Sequence, residues 1–425
     1  MHPQTFILKN GLKVIFIDTK TFPTLTTLLL VGAGSRYENE KNNGIAHFLE
    51  HMFFKGSNKY PNPKVISQII EGMGGYWNAF TSKDYTGYYI KAATDHFPEI
   101  VDILSDILLN SLFEQQEIEK EKGVIIEEIN MYEDTPQRRI GEIFESLMYK
   151  GSPLGFDIAG NKKTVTSFNR NTFVSYMNSL YHPNNAVLVV AGGLKTGEKK
   201  HLEIIKEKFG NWKTGKKSDF IKIKENQKNS KILVHNKKTE QAHFCLGFPT
   251  FGINDKRRRI LSVLITILGG GASSKLFQEV REKKGLCYYI STGVEQYFET
   301  GSVVTQAGIA KDVEKVKIAV SATLAEHNNM VKGLFSNDDI NRAKEMLKGR
   351  LLLSMEDSFN IAHFFGNKKL LEQKIETPEE IIQKILSVKK EEIVELSKEI
   401  FAKNKINFAI IGPFKDNDFS AILNS

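Results

Sequence analysis

The chain has 425 residues, 41% of them hydrophobic and 25% charged, with a formal net charge of +8. That length allows two or three domains with real cores, while the modest charge is spread through lysine-rich helices and loops and makes no nucleic-acid footprint. Two cysteines cannot build a disulfide framework, which points to a reducing compartment, and no stretch is long and apolar enough to span a membrane.

From the N-terminus, MHPQTFILKNGLKVIFID has no charged region followed by an apolar stretch and a small-residue cleavage site, so a cytoplasmic protein is expected. Phe6 to Leu8 and Lys13 to Ile17 flank an Asn10-Gly11 turn, which is a hairpin signal. A strand follows over Thr24 to Val31, then two helices separated by the SNKYPNPK loop. A glycine corner (Gly72, Gly74, Gly75) leads to strands over Tyr76 to Thr81 and Tyr85 to Ala92, and then to two more helices.

The lysine-rich, aperiodic stretch from Lys213 to Lys231 reads as a linker. Beyond it the same order returns. A strand covers His243 to Phe248, a helix starts at Arg257, and a glycine corner stands at Gly269 to Gly271. A short helix, strands around Tyr288 to Val294 and Gly301 to Ala307, and further helices follow. YTGYYIKAATDHFPEIVDILSDIL aligns with ETGSVVTQAGIAKDVEKVKIAVSATL, and FEQQEIEKEK with FSNDDINRAKEML. Agreement in element order over about 200 residues is the mark of a duplication. The expected architecture is α+β: two homologous domains, 1–212 and 232–425, joined by the linker 213–231. Each is expected to be an antiparallel sheet with helices packed on it.

The chemistry concentrates in HFLEHMFFKG. On a helix His47, Glu50 and His51 share one face, while Ile45, Phe48, Leu49 and Met52 form an apolar one, so the helix should be largely buried. Buried imidazoles and carboxylates need partners, and a divalent metal supplies them: two imidazoles one turn apart fit adjacent corners of a tetrahedral zinc site. Glu50 stands beside them, placed as base for a metal-activated water, in the inverted zincin order H-x-x-E-H. A third ligand is required, and EKEKGVIIEEINMYED offers Glu127 or Glu128 on a second, mostly buried helix. Glu121 and Glu128, seven apart, share a face, and Glu127 points about 100° away from Glu128. If Glu121 belongs to the site, Glu128 is the ligand.

HFLEH followed by EKGVIIEE resembles the M16 metallopeptidases, the group of pitrilysin, insulin-degrading enzyme and mitochondrial processing peptidase. That family's signature places 76 residues between H-x-x-E-H and the third-ligand glutamate, and here residues 52–127 intervene before Glu128. The resemblance implies that His47, His51 and Glu128 bind one zinc ion, that Glu50 is the general base and that Glu121 supports the site. LKNGLKVI, GAGSRYE, SPLGFDIAG and YHPNNAVLVVAGG look like further landmarks of the family, so the likeness covers essentially the whole chain. GGYWNAFTSKDYTGYYI matches the family's edge strand. By this resemblance Trp77, Asn78, Ala79, Phe80 and Thr81 would hold the substrate backbone by β-augmentation.

The second half carries RRRILSVLITIL where the metal helix would stand, so only the first half can hold the ion. GGGASSKLFQEVREKKGLCYYIS resembles the family's R-x6-Y element, which implies that Arg281 and Tyr288 donate to the carbonyl under attack. Cys287 should face away from Tyr288. It receives no catalytic role, and His182, His243 and Tyr289 are read as packing residues. The resemblance implies a zinc-dependent endopeptidase acting on oligopeptides or unfolded segments. With two domains it is similar to the short branch, in which two chains assemble as a homodimer or as a heterodimer with a related subunit. The alternative is a non-catalytic or partner-dependent subunit, against which the intact His47, Glu50, His51, Glu121 and Glu128 argue.

Overall fold

The computed structural model describes residues 2–194, 198–223, 227–372, 374–415 and 418–419. Residues 1, 195–197, 373, 416–417 and 420–425 of the two expected domains, and 224–226 of the expected linker, lie outside that set. The chain divides into two compact units. One comprises Met1–Ile129, Phe156–Ile221 and Leu353–Thr377, the other Asn130–Gly155, Lys222–Leu352 and Pro378–Ser425.

The strands are β1 (Gln4–Ile7), β2 (Lys13–Asp18), β3 (Thr24–Val31), β4 (Tyr76–Thr81), β5 (Thr86–Ala93), β6 (Ala186–Gly192), β7 (Lys231–Asn236), β8 (Gln241–Phe251), β9 (Cys287–Gln296), β10 (Thr300–Ala310) and β11 (Asn407–Gly412). The α-helices before β7 are α1 (Ile45–Met52), α2 (Pro63–Gly72), α3 (Phe97–Leu109), α4 (Gln115–Glu133), α5 (Pro136–Met148), α6 (Lys162–Ser167), α7 (Arg170–Leu180) and α8 (Glu198–Phe209). After β8 come α9 (Arg258–Gly269), a π-helical segment at Phe277–Lys283, α10 (Val313–Val331), α11 (Asn337–Ser354), α12 (Ser358–Leu371), α13 (Pro378–Ser387) and α14 (Lys390–Ile400).

The first unit is built on a sheet of order β1-β2-β6-β3-β5-β4, the second on β7-β11-β8-β10-β9. Five strands of the first sheet, β2-β6-β3-β5-β4, therefore repeat in the second. The α+β class and the duplication are as the sequence suggests, but neither sheet is purely antiparallel. β2 pairs with β6, and β7 with β11, in parallel. Each of those pairs is closed by a strand that returns after a long helical excursion, and a crossover of that length permits parallel entry. Among the described residues no helix is long and apolar enough to cross a membrane.

The continuous apolar run AVLVVAG of β6, buried throughout, marks a strand covered on both faces, and β3 is buried over all but its first residue. Leu25, Leu29 and Val31, with Leu188 and Val190 of β6, join the core beneath α1 and α3; Leu28 and Leu30, with Val187 and Val189, face the opposite way. That opposite face is closed by Ile361, Ala362 and Phe365 of α12, a helix from the second half of the sequence. The converse holds in the second unit. There Ile140, Ile143 and Phe144 of α5, from the first half, pack with Cys245, Ala409 and Ile411. The compact units thus differ from the contiguous division into 1–212 and 232–425 by a reciprocal exchange of helices.

Among the described residues of 213–231, only Lys231, which begins β7, is in a helix or strand, yet the stretch is fastened down. The Phe220 ring lies 3.5 Å from the Arg36 guanidinium, and Ser218 N–H donates to Ser179 O at 3.0 Å.

Candidate metal centre

The metal-motif helix starts at Gly44, whose φ of 96° is open to glycine and strained for other residues. A Cβ there would also meet Ala159 O and Gly160 Cα, both at 2.8 Å. Gly44 has no side chain to cap the helix, and the carboxylate of Glu38 does so instead. Its Oε2 accepts from Gly44 N (2.8 Å) and Asn43 Nδ2 (3.0 Å), and its Oε1 from Ala46 N (2.9 Å). Ile45, Ala46, Phe48, Leu49 and Met52 are buried, as expected, and His47, Glu50 and His51 remain half-buried on the other side.

Helix α4 meets this face. It is less buried than its isoleucines suggest: Ile118, Glu121 and Ile125 are inside, while Val124 is 51% exposed and Ile126 and Ile129 are half-covered. A single face of the helix is buried, and Glu121 and Glu128 lie on that side, whereas Glu127 is exposed. One ligand atom each from His47, His51 and Glu128 fall within 4.8 Å of one another. Glu128 Oε2 lies 3.6 Å from His47 Nε2 and 3.7 Å from His51 Nε2, and the two rings are 4.7 Å apart at their centroids. For a tetrahedral ion with bonds near 2.0–2.1 Å, ligand atoms stand about 3.3 Å apart. The cluster is therefore close to zinc dimensions, and its nitrogen-rich donor set suits zinc.

A second layer orients these groups. Glu121 Oε1 accepts from His51 Nδ1 at 2.8 Å and Oε2 from Lys55 Nζ at 2.5 Å. Burial pushes the Glu121 carboxyl upward, but the bonds from His51 and Lys55 outweigh it and hold the group below the ordinary carboxylate range. An ionised carboxylate only accepts, so His51 carries its proton on Nδ1 and turns the Nε2 lone pair toward the cluster. Glu50 is raised by burial, against the lowering effect of a 2.5 Å hydrogen bond from Thr81 Oγ1 to its Oε2. Neither Lys55 nor the capping role of Glu38 was read from the sequence. Lys55 had a signal, four residues beyond His51 on the same side; Glu38 is set by loop geometry and had none.

Of the expected substrate strand, β4 pairs with β5 and forms one edge of its sheet. Trp77 packs on Phe54 with centroids 4.4 Å apart, and Asn78 Oδ1 accepts from Ala79 N at 2.8 Å. Phe80 lies over Gly87 and edge-on to Phe359 of α12. Arg281 and Tyr288 belong to the second unit. There the Arg281 guanidinium is 5.9 Å from the Tyr288 ring, and Tyr288, on β9, is 75% exposed. Cys287 is buried, facing away from it; both cysteines are free thiols. His243 Nδ1 and Tyr289 Oη are 3.0 Å apart, within hydrogen-bond distance, and His182 is half-buried.

Residues 13–162 match the family model described as insulinase, peptidase family M16, and residues 167–347 the model described as peptidase M16 inactive domain. An "uncharacterized zinc protease YmxG" of Bacillus subtilis is 33% identical, covering 96% of this chain and 98% of its own. An "uncharacterized zinc protease" of Rickettsia felis is 35% identical, covering 96% of each. This chain belongs to the M16 peptidase family. A Helicobacter pylori protease has the same fold, with a TM-score of 0.90 and 23% identity over 97% of this chain and 100% of its own. The description of the second domain as inactive agrees with the absence of H-x-x-E-H from RRRILSVLITIL.

Proposed function

We propose that this M16 protein is a zinc-dependent endopeptidase that cleaves oligopeptides or unfolded segments. One observation carries the reading: His47, His51 and Glu128 converge within 4.8 Å while Glu50, on the same helix face, is half-buried beside them. A zinc ion held by those three residues supplies Lewis acidity for the peptide carbonyl and lowers the pKa of water. Glu50, raised by burial, takes the proton of the attacking water and passes it to the leaving amine. Glu121 keeps His51 in the ligating tautomer. The family resemblance assigns Arg281 and Tyr288 to the substrate carbonyl, where they donate as negative charge develops. It assigns Trp77, Asn78, Ala79, Phe80 and Thr81 to the substrate backbone, which the edge position of β4 suits.

The working form in this reading is a homodimer, since one chain carries both the metal half and the Arg281/Tyr288 half; sedimentation of the purified protein tests that. Buried free thiols suit a cytoplasmic setting. The primary experiment compares wild type and Glu50→Gln on a pool of internally quenched peptides. Cleavage by the wild type alone, abolished by a chelator and restored by zinc, is the expected result. Equal cleavage by both proteins refutes the assignment of Glu50, and silence from both favours a subunit that needs a partner.

A further inference from the structure

Thr81 ends β4 and, read from the sequence, is one more residue of a substrate strand. Its side chain does something else. Thr81 Oγ1 donates to Glu50 Oε2 at 2.5 Å, joining the edge strand to the carboxylate that stands among the metal-site residues. We propose that Thr81 is a positioning residue: it holds the Glu50 carboxylate in one rotamer, ties up Oε2 and leaves Oε1 to take the proton. The inference rests on the reading of Glu50 as base.

The chemistry of the pair supports this. An ionised carboxylate is acceptor-only, so the hydroxyl proton must lie on the line to Glu50, and such charge-assisted bonds are short and strong. Glu50 is a flexible side chain on α1, whereas Thr81 is β-branched and stiff at χ1, so the threonine is the fixed member. Its backbone is fixed as well. Thr81 is paired with Thr86 of β5, and Thr86 Oγ1 in turn donates to Ala33 O at 2.7 Å. The bond lies in a half-buried position, where loss of a partner is felt more than in water. A base displaced by about 1 Å can lose on the order of a hundredfold in rate, so a rigid donor at this point acts on turnover. A peptide seated along β4 would meet the same strand that carries this donor. Substrate pairing and placement of the base are then set by one rigid element.

The test uses the full-length, zinc-loaded protein with Thr81→Val, which keeps the shape and removes the donor, and Thr81→Ser, which keeps the donor without the branch. Thr81→Val is expected to lower kcat about ten- to a hundredfold, with KM, bound zinc and melting temperature close to wild type. Thr81→Ser is expected to recover most of kcat. In the Glu50→Gln background, adding Thr81→Val is expected to leave both residual rate and the Kd of an uncleaved peptide unchanged. A rise in KM or Kd at unchanged kcat would make Thr81 a substrate contact and overturn the inference, as would a Ser variant no better than Val. If Glu50→Gln itself retains full activity, it is the base assignment that fails. If Glu50→Gln is dead and Thr81→Val is fully active, only the role of Thr81 fails.

Discussion

At the residue scale, the site depends on groups that touch no reacting atom. Glu38 is fully buried, and burial raises its carboxyl to about 7 against the lowering effect of bonds from Ala46, Gly44 and Asn43 and of the nearby Lys83. The folded state therefore keeps a proton between the ordinary carboxylate range and about pH 7 that the unfolded chain has released. Stability falls as pH rises through that window. The contribution is about 3 kcal/mol at most. Urea unfolding of metal-free protein at pH 5 and pH 7.5 should show that loss in the wild type, while Glu38→Gln, which cannot ionise, should show a flatter dependence. Equal slopes for the two proteins would mean that Glu38 does not carry the effect. Glu121 acts on the metal side. Glu121→Gln removes the charge that fixes the His51 tautomer and leaves Lys55 without its 2.5 Å carboxylate partner. Zinc affinity measured by chelator competition should fall about ten- to a hundredfold. His47, Glu50 and His51 were legible because helix periodicity puts them on one face. The cap and the hydroxyl donor to Glu50 were not, because Glu38 reaches α1 through a loop and Thr81 reaches Glu50 across 31 positions.

At the element scale, strands and helices followed local pattern closely: β3 and β4 occupy the residues that alternation and run length suggest. Their partners did not follow from pattern. α12 is apolar on much of its surface, and nothing in SFNIAHFFGNKKLL says which sheet it covers. It packs on β3 and β6 through Phe365, which is fully buried, and its Asp357 N-cap takes a 2.6 Å bond from Lys91 of β5. Phe365→Ala should cost about 3–5 kcal/mol. The loss should be read locally as faster amide exchange in β3 and β6, elements more than 170 residues distant in sequence. Unchanged exchange there, with loosening confined to the second sheet, would contradict the packing described.

At the scale of the whole molecule, the exchange of α5 and α12 means that neither half of the sequence contains all of its unit. A fragment ending at residue 221 lacks α12, so Leu28, Leu30, Val187 and Val189 lose their cover. Expressed alone, residues 1–221 should aggregate or bind a hydrophobic dye, and co-expression with 222–425 should restore a folded, zinc-binding protein. A soluble fragment with native near-ultraviolet dichroism would show that α12 is dispensable. The sequence by itself determined which residues can hold a metal, the helix face they share, the α+β class and the duplication. All of these depend on periodicities of 2 and 3.6 residues or on spacing along the chain, and so are written locally. Tertiary structure alone decided that Glu38, Lys55 and Thr81 complete the surroundings of the metal ligands, and that α5 and α12 trade sheets. Those choices turn on which buried face meets which, and an apolar pattern records only that a face must be covered.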